Sequence, residues 1–489
     1  MQIQFDNEFG NNFDLSPIFK PKSMVVVGVS QQNYMNPGTT IFLKNFFEMD
    51  LGSNTFGVNP KGGFIESQKL YENIKSIPIN PDISVIAIIP KLAVNAVKEL
   101  IEKNTKGIII ISGGFAEAGK EGKKLQDEIK KLCIDANVPL IGPNCIGIYN
   151  PPYIDTIFLP TEKLILPRKG NVAIISQSGG IMLDQFFLSC YERNIGVSAG
   201  VSIGNKAVIN EIHLLDYFAK DVDTNVIAFY IEGFEQLQGR KFLESSKKIS
   251  KDIIIYQGGK TDIAKSAVQS HTASLASNFQ IAKSAFKQFG IILPETEEEV
   301  GNYIKTYSVI TKRKPAFNFK NYLEGNVVVL TVSGGHGVVC VDLLENYKLK
   351  IVKFETNEIE KLKNLVNETI QNIGSFNNPI DLTGSATDED IIKILDFLFQ
   401  LDKIDIIIAI VVPYPPAISI QIGRKISFIA RHYNKPLICF VPYIEKYNLI
   451  REALELYNIP VAHTVSEAVQ MAAAIRDKSR AILRLSYRQ

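Results

Sequence analysis

The chain has 489 residues, of which 46% are hydrophobic and 21% are charged, and its formal net charge is +2. This length is enough for two to four domains of ordinary size, and the composition is typical of a globular protein. Because the charge is near zero and no basic stripe is interleaved with aromatic residues, the sequence argues against a nucleic-acid partner and against an anionic membrane surface.

No targeting segment, membrane span or metal site is predicted. The N-terminal run MQIQFDNEFG lacks the basic and apolar regions of a secretory signal, and apolar runs such as 404–412 are too short to cross a bilayer. The five cysteines are scattered without CxxC spacing, which argues against disulfides and zinc and favours a reducing cytoplasm. They are Cys133, Cys145, Cys190, Cys340 and Cys439.

A pattern of strand, small-residue turn and helix repeats along the chain. It predicts parallel sheets with helices on both faces, in which ligands bind at the carboxyl ends of the strands. The first block, residues 1–150, has the pattern of a Rossmann-like mononucleotide domain. Its predicted strands are Met24–Val29, Asn54–Val58, Ser84–Ile89, Gly107–Ile111 and Pro139–Ile141.

Three turns of the first block are candidate ligand contacts. The turn Gly28–Ser30 follows the first strand, where backbone N–H groups can approach a phosphate, and Lys61 follows the second strand. Together they favour a phosphorylated adenine ligand over NAD, since the GxGxxG pattern is missing, although a tight packing turn is the alternative. Asn144 in GPNCIG offers an amide, but Pro and Asn also dominate turns for backbone reasons. Cys145 has no partner base and is interpreted as a packing residue.

The second block begins after a proline-rich stretch, residues 150–168, that is interpreted as a connecting segment. In this block the turn Ser176–Gly180, SQSGG, follows a buried strand and opens a helical pattern. Hydroxyl, amide and backbone donors at a helix N-terminus predict a phosphate site, and a helix start without a ligand is the alternative. The predicted strands are Val172–Ile175, Gly196–Val201, Val226–Tyr230 and Ile253–Tyr256.

His271 is the candidate nucleophile of the second block. It lies between the turn Gly258–Lys260 and an apolar helical pattern, among side chains too small to lock it in a core. Neutral imidazole is a good nucleophile toward phosphorus when a carboxylate holds its other ring nitrogen. Glu232, at the end of the strand Val226–Tyr230, is the candidate carboxylate. The alternatives are an ordinary histidine and a solvated glutamate.

The third block, residues 325–489, repeats the same pattern and closes on a predicted helix, Ala468–Leu485. His336 in its first turn, SGGHG, is a second candidate for phosphorylation. No carboxylate partner is evident, so a structural turn is the preferred interpretation. The predicted strands are Val327–Val332, Lys350–Phe354, Asp405–Val412, Pro436–Val441 and Pro460–Ala462.

Nine motifs occur in the order found in one known family: VGVS, VNPK, SGGFAEAGKEG, IGPNCIGI, NVAIISQSGG, SIGNK, YIEG, GGK and SHTASLA. Over nearly its whole length the chain resembles the α subunit of the ADP-forming acyl-CoA synthetases, relatives of succinyl-CoA synthetase. The resemblance implies an α/β fold of three doubly wound domains. These are a Rossmann-like CoA-binding domain over 1–150 and two flavodoxin-like succinyl-CoA-synthetase-type domains over 165–312 and 325–489.

The resemblance also implies roles for individual residues. His271 is implied as the phosphohistidine and Glu232 as its stabilising carboxylate. The implied CoA contacts are Gly28, Val29, Ser30, Lys61, Ile89, Pro90, Ser112, Gly113, Phe115 and Asn144. The implied phosphate contacts are Ser176, Gln177, Ser178, Gly179, Gly180, Gly259, Lys260 and Thr272.

The implied reaction interconverts acyl-CoA, ADP and inorganic phosphate with a carboxylic acid, ATP and CoA, with acetyl-CoA or a similar short acyl-CoA as substrate. No stretch after residue 325 has an ATP-grasp pattern, so we expect an ATP-grasp β subunit, in an α2β2 assembly, that carries the nucleotide and its Mg²⁺. Two alternatives stay open. One is a CoA-binding or acyl-CoA-binding regulatory protein without catalysis, and the other is a ligase for a larger or unusual acid.

Overall fold

The computed structural model describes residues 13–264, 279–313 and 317–486. The chain divides into two compact units, Met1–Ala285 and Phe286–Gln489. The strands of the described residues form three sheets, two in the first unit and one in the second. The predicted α/β class is confirmed.

The first sheet has seven strands in the order β3-β4-β2-β1-β5-β6-β7. All neighbours are parallel except β3 and β4. Counting only the parallel strands, the order is 3-2-1-4-5-6, which is the Rossmann order with its reversal at β1. The strands are β1 Met24–Val27, β2 Thr55–Val58, β3 Phe64–Ile65, β4 Gln68–Tyr71, β5 Ile83–Ile86, β6 Ile108–Ile110 and β7 Leu140–Ile141. The α-helices are Ser16–Phe19, Pro37–Phe47, Pro90–Glu102 and Lys120–Asp135.

The second sheet has the order β13-β12-β10-β11-β8-β9, with four parallel strands and an antiparallel hairpin at one edge. The strand order reverses at β10. The strands are β8 Ile148–Asn150, β9 Ile154–Asp155, β10 Lys169–Ser176, β11 Val197–Ser202, β12 Val226–Ile231 and β13 Asp252–Gln257. A π-helical segment, Ile181–Phe187, continues into the α-helix Leu188–Glu192, and the later α-helices are Glu211–Lys220 and Gln238–Ser246.

The hairpin β8–β9 corrects the interpretation of residues 150–168 as a purely connecting segment. These two strands have three and two residues, end in Asn and Asp and lie on either side of two prolines, so they form no apolar run that predicts a strand. A buried ion pair fixes the hairpin, because the Lys44 Nζ lies 2.6 Å from an Asp155 carboxylate oxygen and both side chains are buried. Lys44 belongs to the helix Pro37–Phe47, so the hairpin joins the second sheet to the layer of the first.

The third sheet is entirely parallel, in the order β15-β14-β17-β18-β19, with β16 also paired to β14. Apart from β16 this is the flavodoxin order 2-1-3-4-5. The strands are β14 Asn326–Thr331, β15 Lys350–Ile351, β16 Ile380–Asp381, β17 Ile406–Ile410, β18 Leu437–Phe440 and β19 Val461–Ala462. The α-helices are Gly334–Asn346, Thr356–Asn364, Glu368–Ile373, Asp388–Gln400, Ile422–Ala430, Asn448–Leu456 and Val465–Ser486.

Two more helices, Phe279–Gln288 and Glu297–Ile310, precede the third sheet. The helix Glu297–Ile310 packs along the terminal helix Val465–Ser486. Its Tyr307 hydroxyl donates to the carbonyl oxygen of Ala474 at 2.8 Å. The division between the two compact units therefore falls inside the block that the sequence analysis placed at 165–312.

Candidate functional site

The turn after β1 lies against the turn after β5, where the strand order of the first sheet reverses. Gly28 has a φ of +105°, and a Cβ there would come within 2.5 Å of the Ala87 carbonyl oxygen, so only glycine fits. The N–H groups of Gly28 and Val29 donate to the Val58 carbonyl oxygen at 3.1 and 3.2 Å. The predicted turn is thus at the ligand edge of the sheet, with two of its N–H groups engaged inside the protein.

The helix after this turn begins later than the sequence pattern suggested. It starts at Pro37 and is capped by the Asn36 side chain, so several residues separate it from Ser30. The Ser30 N–H donates to the Thr39 hydroxyl at 2.8 Å, and the Ser30 hydroxyl accepts from the Asn33 N–H at 3.1 Å. Ser30 therefore holds the connection in shape.

The turn after β2 is joined to the turn after β1 by side-chain hydrogen bonds. The Asn59 amide donates to the Val29 carbonyl oxygen at 2.7 Å, and the Gln31 amide donates to the carbonyl oxygen of Gly62. Lys61 stands between these contacts with its side chain exposed. The structure thus places a cation beside the first turn, as the sequence analysis expected.

The turns after β5 and β6 also meet. Ile89 is exposed and precedes the helix Pro90–Glu102, and a Cβ at Gly114 would come within 3.0 Å of the Pro90 ring. Ser112 and Gly113 follow β6, whereas Phe115 is fully buried. Phe115 therefore packs in the core beneath the turn.

Asn205 joins three loops through its side-chain amide. Its nitrogen donates to Glu117 at 2.5 Å and to Gln126 at 2.9 Å, and its oxygen accepts from the Asn144 amide at 3.3 Å. Burial opposes the ionisation of Glu117, but the bonds from Asn205 and from nearby backbone N–H groups outweigh it and hold the pKa of this carboxyl below its ordinary value. The loops after β6, β7 and β11 are thus held in one arrangement.

Close backbone packing brings the edge of the second sheet onto the GPNCIG turn. A Cβ at Gly204 would come within 2.3 Å of the Pro143 carbonyl oxygen, and one at Gly179 within 2.9 Å of the Ile146 side chain. Asn144, in the same turn, has a φ of +57° and is exposed. The candidate CoA loops and the SQSGG turn therefore adjoin one another.

The SQSGG turn opens a helix, as predicted. The Ser176 hydroxyl donates to the Ser178 carbonyl oxygen at 2.6 Å and accepts from the Ser178 N–H at 3.2 Å, and the chain is helical from Gly179 onward. Gly180 is exposed, and a Cβ there would meet nothing within 4 Å. The first turn of this helix is therefore open to a ligand.

Gln177, in the middle of this turn, is buried and bonded at both ends of its amide. Its nitrogen donates to Glu211 at 2.6 Å and to the Gly233 carbonyl oxygen at 2.9 Å. Its oxygen accepts from the backbone N–H groups of Glu232 and Gly233. The amide thus connects the end of β10 to the end of β12.

A buried ion pair, formed by Lys206 and Glu211, is hydrogen-bonded to the Gln177 side chain. The Lys206 Nζ is 2.6 Å from the same Glu211 oxygen and donates to the Gly233 carbonyl oxygen at 2.8 Å. Only 6% of the Lys206 side chain and none of the Glu211 side chain is exposed. Because desolvating two charges is costly, this pair depends on its several hydrogen bonds.

Glu232 is itself buried, with 6% of its surface exposed. The Tyr230 hydroxyl hydrogen-bonds to Glu232, and burial together with this carboxylate raises the pKa of Tyr230. The same hydroxyl lies 2.6 Å from the position that a Cβ would take at Gly258. Glu232 is therefore not a solvated strand end; it lies between the SQSGG turn and the Gly-Gly-Lys turn.

The Gly-Gly-Lys turn follows β13. Gly259 has a φ of +70°, and the Lys260 ammonium lies 4.9 Å from the centre of the Tyr256 ring. His271 and Thr272 lie outside the described residues. The pairing of His271 with Glu232 therefore stays a prediction.

Two other motif residues have structural roles. The Cys145 thiol donates to the Ile110 carbonyl oxygen at 3.4 Å, and burial raises its pKa to about 12, so the interpretation as a packing cysteine is confirmed. The His336 Nδ1 lies 2.8 Å from the Ser333 hydroxyl, next to the start of the helix Gly334–Asn346. Within the described ranges, no group of three His, Cys, Asp or Glu side chains is placed to hold a metal ion.

The sequence reasoning missed the residues that hold the site together. SIGNK is one of the nine motifs, but the sequence pattern indicates no role for its Asn205 and Lys206, nor for Glu211, Glu117 and Gln126. A lysine and a glutamate five positions apart after a strand are a weak signal. Only their common burial distinguishes them from surface charges. In the part of the chain that the structure describes, every helix is too short or too polar to be a candidate membrane span.

Comparisons with known proteins agree with this arrangement. Residues 22–151 match the CoA binding domain model, and residues 169–307 match the succinyl-CoA ligase like flavodoxin domain model. The chain is 32% identical over 401 residues to the Pyrococcus furiosus acetate–CoA ligase (ADP-forming) II subunit alpha, covering 81% of this chain and 82% of that subunit.

A longer relative is acetate–CoA ligase (ADP-forming) I of Archaeoglobus fulgidus, with 34% identity over 401 residues, or 81% of this chain. The chain spans about half the length of that relative, 54%. Among solved structures, the dinucleotide forming acetyl-coenzyme A synthetase 1 of Candidatus Korarchaeum cryptofilum, in complex with phosphate and ADP, superposes with a TM-score of 0.83 at 27% identity. That superposition covers 97% of this chain and 99% of the other.

Proposed function

This chain belongs to the family of ADP-forming acetate–CoA ligases, and we propose that it is the part of such an enzyme that binds CoA and carries the phosphoryl group. The reaction is the interconversion of acyl-CoA, ADP and phosphate with a carboxylic acid, ATP and CoA, with acetyl-CoA or a similar short acyl-CoA as substrate. The observation that carries this proposal is the position of Glu232. It is a buried carboxylate between a helix N-terminus and the Gly-Gly-Lys turn.

CoA is assigned to the ligand edge of the first sheet. Four turns meet there, after β1, β2, β5 and β6, with the exposed residues Lys61 and Ile89 among them. These turns carry a cation and an apolar side chain, and the neighbouring turn after β7 adds the polar side chain of Asn144. Together these groups suit the phosphates, the adenine and the pantetheine chain of CoA. The thiol end then falls near the SQSGG turn, because that turn packs on Ile146.

The SQSGG turn is assigned to phosphate. Ser178, Gly179 and Gly180 present the open first turn of a helix, whose partial positive charge and N–H groups stabilise an anion. Gln177 has a different role from the one implied by the resemblance, because its amide is engaged inside the protein. It positions Glu232 and leaves phosphate binding to its neighbours.

The chemistry proceeds in steps that each move one group. Phosphate attacks the thioester carbonyl, the carbon–sulfur bond breaks, and CoA leaves as an acyl phosphate forms. A His271 ring nitrogen then attacks phosphorus, and the carboxylic acid leaves as its carboxylate. Finally the phosphoryl group passes from His271 to ADP. A covalent intermediate of this kind divides one difficult transfer into easier ones.

Glu232 acts on His271 by accepting a hydrogen bond from the second ring nitrogen. This bond fixes the tautomer in which the reacting nitrogen has a free lone pair, and it stabilises the charge that develops on the ring. Tyr230 and the Gln177 amide hold the glutamate in place from the protein side. Lys260 adds a positive charge near the transferring phosphoryl group.

The nucleotide is assigned to an ATP-grasp partner, in an α2β2 assembly, and Mg²⁺ would arrive there with ADP or ATP. The two compact units of this chain contain parallel sheets of the Rossmann and flavodoxin orders.

The absence of any membrane-length helix from the described residues is compatible with a cytoplasmic location.

Labelling with radioactive inorganic phosphate tests the proposal. The purified chain is incubated with acetyl-CoA and labelled phosphate, alone and with a candidate ATP-grasp subunit, beside a His271→Ala variant. We expect acid-labile, base-stable label on the wild type and none on the variant, with equal CoA binding by both.

Two outcomes would contradict the proposal. Label that persists in His271→Ala would exclude this residue as the carrier. CoA binding without label, for every acyl-CoA tried and with the ATP-grasp subunit present, would favour a CoA-binding regulatory protein. If only longer or aryl acyl-CoAs give label, the chain is a ligase for a larger acid.

A further inference from the structure

A separate cavity of about 490 Å³ lies in the unit Phe286–Gln489. It is formed by the terminal helix Val465–Ser486, the segment that follows the helix Phe279–Gln288, and the end of the helix Gly334–Asn346. Its size is that of a small-molecule site. None of the residues proposed above to bind CoA or phosphate lines it.

The wall carries more positive than negative charge. Five of its side chains are cationic and three are carboxylates. Arg476, Arg480 and Arg484 are spaced four residues apart on the terminal helix, so they lie on one face, one turn above another. The side chains of Ile291 and Ile292, both buried, form an apolar part of the wall.

The carboxylates Glu299 and Asp477 are engaged inside the protein. Glu299 accepts from the Tyr347 hydroxyl at 2.9 Å and from the N–H of Glu295 at 2.6 Å. Asp477 accepts from the Tyr303 hydroxyl at 2.9 Å and pairs with Arg476 at 2.8 Å. Among the described residues, neither of these carboxylates is hydrogen-bonded to Arg480 or Arg484.

Arg476 is engaged as well, since it donates to Asp477 and to the carbonyl oxygens of Tyr347 and Lys348. Arg480 donates one N–H to the Leu323 carbonyl oxygen at 2.9 Å. Burial is the main cause that lowers the pKa of Arg480, and the charges of Arg476 and Arg484 lower it further. The carboxylates of Asp477 and Glu324 act in the opposite direction. Arg480 is therefore a partly buried cation on the same helix face as two other guanidinium groups.

We propose that this cavity binds a small anion with a phosphate group, held by the guanidinium groups of Arg480 and Arg484. Two guanidinium groups one helical turn apart present forked N–H donors that match the oxygens of a phosphate, and a bound anion relieves their mutual repulsion. The apolar wall at Ile291 and Ile292 suits an organic group attached to the phosphate. The site is independent of the CoA and phosphohistidine assignments.

Calorimetric titration of the full chain with pyrophosphate tests the site at low ionic strength. Four proteins are compared: wild type, Arg484→Gln, the double variant Arg480→Gln/Arg484→Gln, and Arg424→Gln. Arg424 is a matched control, because it is an exposed arginine on another helix of the same unit and stacks on Phe428. Thermal unfolding of each protein verifies that it is folded.

We expect pyrophosphate to bind the wild type and Arg424→Gln equally. A lost charge-assisted hydrogen bond costs about 1.5–3 kcal/mol, so Arg484→Gln should weaken binding roughly tenfold or more, and the double variant should weaken it further. Arg484→Gln is the variant less expected to disturb folding, because within the described residues it removes no hydrogen bond, whereas Arg480 donates to the Leu323 carbonyl oxygen. No binding to the wild type, or equal binding to wild type and a folded double variant, would overturn the proposal.

Discussion

Lys206 and Gln177 donate to the same two acceptors, one carboxylate oxygen of Glu211 and the carbonyl oxygen of Gly233. The shared acceptors lock the end of β10, the loop after β11 and the end of β12 into one unit. Glu232 precedes Gly233 directly, so the position of the proposed catalytic carboxylate depends on a buried ion pair that is bonded to the next residue of the chain.

Replacing Lys206 by methionine should destabilise the protein strongly. Removing one partner of a buried pair leaves an uncompensated charge and costs about 3–5 kcal/mol. Chemical denaturation measures the loss. The matched control is Lys98→Met, whose ion pair with Glu128 is about half exposed and should change the free energy of unfolding by about 1 kcal/mol at most.

A double variant separates charge from packing. Lys206→Met together with Glu211→Leu removes both charges, so much of the stability lost in Lys206→Met should return. Equal losses in the single and double variants would show that the hydrogen bonds of this network, and not the unpaired charge, dominate.

Replacing Glu232 by glutamine should reduce phosphohistidine formation at least tenfold while leaving CoA binding unchanged. The amide keeps the size of the side chain but loses the charge that stabilises the imidazolium. The measurement is the rate of label incorporation from radioactive phosphate. Glu235→Gln is the control, since Glu235 is exposed and three residues further along the chain. Equal rates in wild type and Glu232→Gln would remove this carboxylate from the mechanism.

Replacing Asn205 by alanine should weaken CoA binding about tenfold. The amide nitrogen bridges Glu117 and Gln126 and its oxygen contacts Asn144, so its removal leaves the loops after β6 and β7 without a common partner. Calorimetry with CoA measures the change, and Asn95→Ala on an exposed helix face is the control. An unchanged dissociation constant would show that these loops keep their arrangement without Asn205.

Because His213 can be protonated, the free energy of unfolding should fall as the pH is lowered from neutral to acidic values. Burial lowers its pKa to about 4, against the opposite pull of Glu211. In the unfolded chain the pKa is about 6.5, so between these values the unfolded state binds the extra proton and stability is lost as the pH falls. The loss from pH 7 to pH 4 is on the order of 3 kcal/mol. Denaturation of wild type and His213→Gln over this range tests it, and the variant should show a shallower decline.

Much of the fold could be predicted from local patterns. Buried apolar runs followed by small-residue turns located the strands β1, β11, β12, β13, β14 and β17 to within two residues at each end, and β10 to within three. The strands β8, β9 and β16 could not be found this way, because each has only two or three residues, ends in Asn or Asp and lies close to a proline. Their pairing depends on contacts distant in sequence, such as the one between Lys44 and Asp155.

For the site, the sequence by itself determined the motif order, the family it indicates, the turns at the carboxyl ends of the strands and the candidate residues Glu232 and His271. Only the tertiary structure decided that Glu232 is buried, that Gln177 holds it in place, and that Lys206 and Glu211 lie behind both. The physical reason is desolvation. Whether a charged side chain is a solvated surface group or part of a buried network depends on which strands and loops surround it, and that is set by chain segments far apart in sequence.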